Sequence, residues 1–211
     1  MYDIRPNFII GFHGCDISVA NNLVNNPDHI KISTEKFDWL GHGMYFWENN
    51  YVRAMQWAEE KKARGKIATP AVVGAVIQLG QCCDFLDSKF IRMIQSYHPI
   101  MELEYKAAGR NLPENLDHAK DPNKDKLQRI LDCTAIEFMH SKIATQIAED
   151  ISNKGYSNFH NFDSTRGVFT EGGPAFPGAG ILEKSHIQIC VRNINCIKGF
   201  FKLRKEIEFK P

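Results

Sequence analysis

Residues 39–58 read WLGHGMYFWENNYVRAMQWA, and the fold is read outward from this stretch. Its first half is Gly41-x-Gly43 followed by Met44-Tyr45-Phe46-Trp47. Glycines so spaced let the backbone bend sharply or approach a ligand closely, and the apolar run after them predicts a short strand. In the second half Tyr51, Ala54, Met55 and Ala58 recur at helical spacing with Trp57 beside them. Asn49 or Asn50 supplies a cap, so the spacing predicts a helix. Aromatic residues just after a glycine turn can line a pocket for a flat ring. Taken alone, the same residues also read as a buried strand and an amphipathic helix, because aromatics are ordinary core filler.

Upstream, residues 8–14 form a continuous apolar run ending in His13-Gly14. That suits a buried strand running into a turn at Gly14. Asp16 or Ser18 then starts a short helix through Leu23, stopped by Asn25-Asn26-Pro27. Ile30 and Ile32 alternate with polar neighbours and predict a short strand. Downstream, the charged run at residues 59–66 reads as a solvated helix end closed by Gly65. Residues 71–79 look like a central strand, continued or turned at residues 82–87.

From residue 88 to about 151 the texture changes. Phe90, Ile91, Ile94 and Tyr97 share one helical face up to Pro99, and residues 111–126 read as an exposed loop. A second helix follows from Leu127 through Ile130, Phe138 and Met139 towards Ile151. We take this as a helical insertion within one domain spanning residues 1–211. Beyond Gly155, residues 163–174 mix a short strand with a glycine turn, and a glycine-rich loop at 171–180, a strand at 185–192 and a final strand through Ile197, Phe200-Phe201 and Leu203 follow. Strands flanking a helical middle give the class α+β.

The totals exclude several functions. A formal net charge of +1 makes no bulk electrostatic case for a nucleic-acid or membrane partner. The cysteines at 15, 82, 83, 133, 190 and 196 form no C-x-x-C pair, so no metal is expected and free thiols in a reducing compartment are. The N-terminus has no signal-peptide pattern, and the longest uncharged apolar run, residues 71–80, is too short to span a bilayer. The expectation is a cytoplasmic protein. The basic tail of Lys198, Lys202, Arg204 and Lys205 is followed by Glu206 and Glu208, which favours a solvated edge.

Neither a Walker loop, a G-x-G-x-x-G strand–helix turn nor a G-x-S-x-G elbow is present. Cys15 lies two residues after His13, but a turn at Gly14 would separate their faces, so a cysteine nucleophile is disfavoured. Three segments are more informative together: FHG at 12–14, GHGMYF at 41–46, and a late strand carrying Gln188 after the glycine-rich loop. Here the chain resembles the ADP-ribosyltransferase superfamily, in its diphtheria-toxin-like and poly(ADP-ribose) polymerase branch with a His-Tyr-Glu signature. The set FHG, WLGHGMYFWE, DSTRGVF-x-EG and KSHIQICVRN is also similar to an uncharacterised bacterial group associated with this superfamily. The resemblance covers both ends of the chain and not residues 88–151.

The resemblance implies a split mixed β-sheet core and an NAD-dependent transfer of ADP-ribose to a protein or nucleic-acid acceptor, in a toxin-like setting that can include an antitoxin-like partner. Cleaving the nicotinamide–ribose bond leaves positive charge on the sugar, so the enzyme must hold the nicotinamide and polarise the ribose hydroxyls. By resemblance, His13 bonds a ribose hydroxyl, Gly14 binds the nicotinamide amide through its backbone, and Tyr45 stacks on the ring with Trp57 or Tyr51 opposite. Gly43 and Phe46 belong to the same motif. Each aromatic contact is worth about 1 kcal/mol.

The usual glutamate is missing. The register puts Gln188 in its place, and an amide orients a hydroxyl without supplying charge. Glu171, or Glu183, is an alternative source of that charge. His186 shares a face with Gln188 by the period of two, as a site or rim residue. Arg166 is expected to pair with Asp163 rather than a phosphate. A catalytically inactive NAD or ADP-ribose binding module is the alternative reading. An RNA 2'-phosphotransferase needs more basic residues in these segments than the chain has.

Overall fold

The computed structural model describes residues 4–117 and 121–204. Lys205, Glu206 and Glu208 of the basic tail lie outside them. The elements run β1 (Ile4–Asp16), α1 (Ile17–Asn25), β2 (Met44–Glu48), α2 (Tyr51–Ala63), β3 (Pro70–Asp84), α3 (Ser88–Ala107), α4 (Ile130–Lys154), β4 (Ser164–Phe169), β5 (His186–Val191) and β6 (Ile197–Phe201). The class is mixed α+β. The strands form one sheet in the order β1-β2-β5-β4-β3-β6, and β1 also pairs with β3. That extra pairing closes the sheet into a ring, with β6 outside it on β3. The β3–β4 pair is parallel and the other pairs are antiparallel.

Successive side chains of a strand point to opposite faces, so the ring has an inside and an outside. Phe46, Val73, Ile77, Ile189 and Val191 fill the inside, with Leu23 of α1 against them. Phe12 and Trp47 point outward beneath Ala54 of α2. Helices α3 and α4 meet each other over Cys83, where Phe90, Met139 and Ile143 are buried.

The expected helix caps form at Asp16, whose side chain accepts from Ser18 N–H, and at Asn50, which accepts from Arg53 N–H. Asn49 takes the left-handed conformation before it. Other expectations need correction. β1 runs unbroken to Asp16, so Gly14 makes no turn and His13 and Cys15 share a face. The Ile30–Ile32 stretch forms no strand, leaving a single bridge between Ser33 and Gly43. Helix α3 continues through Pro99 to Ala107. Pro99 and Gln95 are both exposed, so water can meet the carbonyl that Pro99 cannot bond, while fully buried Met101 anchors the next turn. Arg166 pairs with Glu48 and Asp84 and not with Asp163. Asp163 instead accepts from Gln81 N–H and Asn193 Nδ2.

No helix among the described residues is long and apolar enough to cross a membrane.

Candidate functional site

The glycine turn at residues 41–43 is fixed by the helical insertion. Gly41 has φ +82°, a left-handed conformation that favours glycine. His42 N–H donates to Glu137 Oε1 of α4 at 2.7 Å. Arg192 donates from Nη1 to the His42 carbonyl at 3.1 Å and forms a two-pronged ion pair with Glu137. Burial pushes the Glu137 carboxyl up, but Arg192 and the His42 N–H more than offset it, and it titrates below its ordinary range. Tyr45 closes the turn from inside. Its hydroxyl donates to the Gly41 carbonyl at 2.7 Å and accepts from Leu40 N–H at 2.9 Å.

β1 and β2 separate next to this turn. Their ladder holds Gly11 opposite Glu48 and Phe12 opposite Trp47. Asn49 N–H donates to the Ile10 carbonyl, so even-numbered residues of β1 turn their backbone polar groups towards β2. A continued ladder would therefore pair Gly14 with Tyr45. Instead His13 Nδ1 lies 2.8 Å from the Tyr45 carbonyl oxygen. A carbonyl only accepts, so Nδ1 carries the proton and Nε2 keeps its lone pair. Burial lowers the His13 pKa to about 4, so the ring is neutral. Gly14 is left turning an N–H and a C=O into the gap. Helix α2 crosses directly above it, and a Cβ there would collide with the Ala54 carbonyl oxygen.

On the outer face Tyr45 sits opposite Cys190, and Trp47 opposite Gln188. Gln188 and His186 stand opposite Gly167 and Phe169. Tyr45, Trp47, Gln188 and His186 thus share one face. Gln188 is 9% exposed, and its Oε1 accepts from the Trp39 indole N–H at 2.6 Å. His186 Nδ1 lies 2.6 Å from the Lys184 carbonyl oxygen, which fixes the same tautomer as in His13. Burial lowers its pKa to about 4. Aromatic rings continue the wall: His186 stacks on Phe169 at 5.6 Å, Trp47 is 6.1 Å from His186, and Trp57 is 6.0 Å from Trp47.

Other candidates lie further off. By strand parity His13 points to the inner face, with its ring 5.9 Å from that of Phe46, and reaches Tyr45 only through the main chain. Phe46 is fully buried in the inner core, facing away from Tyr45. Tyr51 is exposed and meets Phe12 edge-on at 5.8 Å. Gly43 packs on β5, where a Cβ would press on Cys190 Sγ. Glu171 is buried and paired with Arg53 of α2, whose Nε is 3.0 Å away. Its charge is thereby compensated. Glu183 is exposed. Cys15 is buried, and burial pushes its thiol up to about 11, which removes the thiolate a nucleophile needs.

Trp39 and Trp47 are site residues that sequence reasoning missed. Trp47 had a usable signal, being two residues from Tyr45 in the same strand. Trp39 had none, because its contact with Gln188 spans 149 positions. An open depression of about 440 Å³, lined by Glu48, Asn49, Val168, Ser185, His186 and Ile187, lies at the His186 end of the sheet rather than the His13–Tyr45 end, and by strand parity Glu48, Val168 and Ile187 turn to the inner face there. Among the described residues no cluster of three or more His, Cys, Asp or Glu side chains is arranged to hold a metal ion.

Compared with protein-family models, curated proteins and solved structures, the chain shows no significant match to any of them.

Proposed function

We propose that the protein is an NAD-dependent ADP-ribosyltransferase that cleaves the nicotinamide–ribose bond and transfers ADP-ribose to a macromolecular acceptor. The observation that carries this reading is the gap between β1 and β2. There Gly14 presents a donor and an acceptor from its backbone beside Tyr45, because His13 has taken the Tyr45 carbonyl. A primary amide such as that of nicotinamide complements an N–H and a C=O on one strand edge. The ring closed by β1, β2, β5, β4 and β3 accords with the split mixed sheet that this activity implies.

In this reading His13 acts through the main chain: its Nδ1–H holds the Tyr45 carbonyl and so keeps the Gly14 edge free for the nicotinamide amide. Tyr45, locked by Gly41 and Leu40, offers a fixed ring. Gln188 is oriented by Trp39, which leaves its amide N–H groups to fix a ribose hydroxyl. The protein stabilises the developing cation by orientation rather than by a carboxylate. No disulfide joins the described cysteines, all of which are buried, in keeping with the reducing, cytoplasmic setting of this reading.

The test is nicotinamide release from NAD. Wild-type protein is expected to release it, and His13→Ala to be slower by about 10- to 100-fold, because the Tyr45 carbonyl loses its partner and the Gly14 edge is no longer held in place. Equal rates for both would refute the assignment. One observation favours a second reading, a non-catalytic NAD or ADP-ribose binding module: Gln188 is neutral and Glu171 is compensated by Arg53. Calorimetry showing tight NAD binding without turnover selects it.

A further inference from the structure

Two side chains on the outer face are buried yet lack hydrogen-bond partners among the described residues: Trp47 at Nε1 and His186 at Nε2. Both residues are more than nine-tenths buried, at 3% and 6% exposure. Their chemistry is complementary. The indole Nε1 only donates. His186 has its Nδ1 proton committed to the Lys184 carbonyl, so Nε2 only accepts. A buried donor and a buried acceptor left open on two rings whose centroids are 6.1 Å apart are costly unless something satisfies them.

The occupant's charge is constrained. Arg53 Nη1 is likewise buried without a hydrogen bond, but the Arg53 charge is offset by Glu171 and by Glu60 at 3.6 Å, so no net positive charge is held ready for an anion. A carboxylate would oppose the His186 lone pair, and a guanidinium would leave the Trp47 N–H unmatched. A neutral hydroxyl matches both, donating to His186 and accepting from Trp47.

Position gives the occupant a role, and this step rests on the transferase reading above. Tyr45 stands opposite Cys190 and Trp47 opposite Gln188, with His186 two residues further along β5, about 6.7 Å beyond Gln188. The order along the sheet is therefore leaving group at Tyr45, ribose at Gln188, and then the Trp47–His186 pair. A nucleophile displacing nicotinamide in line must approach from the side opposite that leaving group. The loop holding Glu171 and Lys184 lies at this end of the face, tied to α2 through Arg53 and Glu60.

We infer that Trp47 and His186 form the acceptor subsite, built for a neutral hydroxyl nucleophile. The hydroxyl oxygen attacks the ribose C1' and forms the new C–O bond. The C–N bond breaks with its electron pair passing to nicotinamide, and the hydroxyl proton passes to His186 Nε2. Trp47 fixes the oxygen by donating to it.

The test uses the full chain with NAD and simple acceptors, scoring nicotinamide release and the ADP-ribosyl product per NAD-binding site, the sites being counted by calorimetry. Normalising by bound NAD removes any loss of folded protein. With methanol present, the wild type is expected to form the methyl riboside, and with acetate or methylguanidine no adduct. His186→Phe and Trp47→Phe are each expected to leave the NAD dissociation constant unchanged and to lower turnover per site by about a hundredfold for His186, the usual worth of a proton acceptor. His186→Gln, which keeps an acceptor, is expected to recover part of that loss and stands in should the Phe variants fail to fold. Wild-type turnover in His186→Phe, or capture of acetate as readily as methanol, would overturn the subsite while leaving the transferase reading intact. Absence of any nicotinamide release by the wild type would overturn both.

Discussion

His13 is the residue on which the two strands part. Its Nδ1–H satisfies the Tyr45 carbonyl across the gap, so β2 can leave β1 without stranding a buried acceptor. Tyr45 secures the other side through two hydroxyl bonds. Tyr45→Phe keeps the ring but leaves the Leu40 N–H and the Gly41 carbonyl unmatched, and should cost about 1–3 kcal/mol in urea denaturation. Gln188 allows a test of opposite sign. Gln188→Glu still accepts from Trp39 and adds negative charge where the sugar becomes positive, so nicotinamide release should rise by about tenfold. A fall would show that the carboxylate does not face the reacting carbon.

At the scale of elements, the ring closes through short ladders, and side-chain networks reinforce them. Arg166 of β4 grips Glu48 of β2 at 2.6 and 2.8 Å and Asp84 of β3 at 3.1 Å, tying three strands at one end. Arg166→Met leaves two carboxylates facing each other with their cation gone. It should cost about 3–5 kcal/mol, read as a lower urea midpoint with an unchanged slope. The elements themselves were largely legible, because the continuous apolar run at residues 71–79, the period of two at 186–191 and the helical spacing in α2 are local signals. Besides the missing strand at Ile30–Ile32, three features were not. The strand through Gly14 depends on pairing with β3, which outweighs the local appearance of a turn. Helix α3 survives Pro99 because that position faces water while Met101 is buried beyond it. The partner of Arg166 was misjudged because Asp163 is near in sequence, whereas Glu48 is 118 positions away. Within the site, His186 and Gln188 could be placed on one face by parity, but the clamp of Glu137 and Arg192 on the glycine turn required tertiary structure.

Across the whole molecule, several histidines are buried as neutral rings. Burial lowers His13 and His186 to about 4, and His140 to about 3, where Arg192 adds to the effect. The unfolded chain takes up these protons near the ordinary value of 6.5, and the folded chain does not. Stability is therefore undiminished above pH 6.5 and is lost progressively as pH falls towards 4. Thermal unfolding at pH 7, 6 and 5 should show a falling midpoint, with a smaller fall in His140→Phe, which lies away from the outer-face site. The central claim is that the gap beside Gly14 and Tyr45 receives the nicotinamide end of NAD. Titrating NAD into uniformly ¹⁵N-labelled protein and following the Gly14 amide resonance tests it most directly. The account predicts a saturable shift of the Gly14 amide together with those of β2, weakened in His13→Ala. A Gly14 amide that stays fixed while NAD binds elsewhere, or no binding at all, would contradict it.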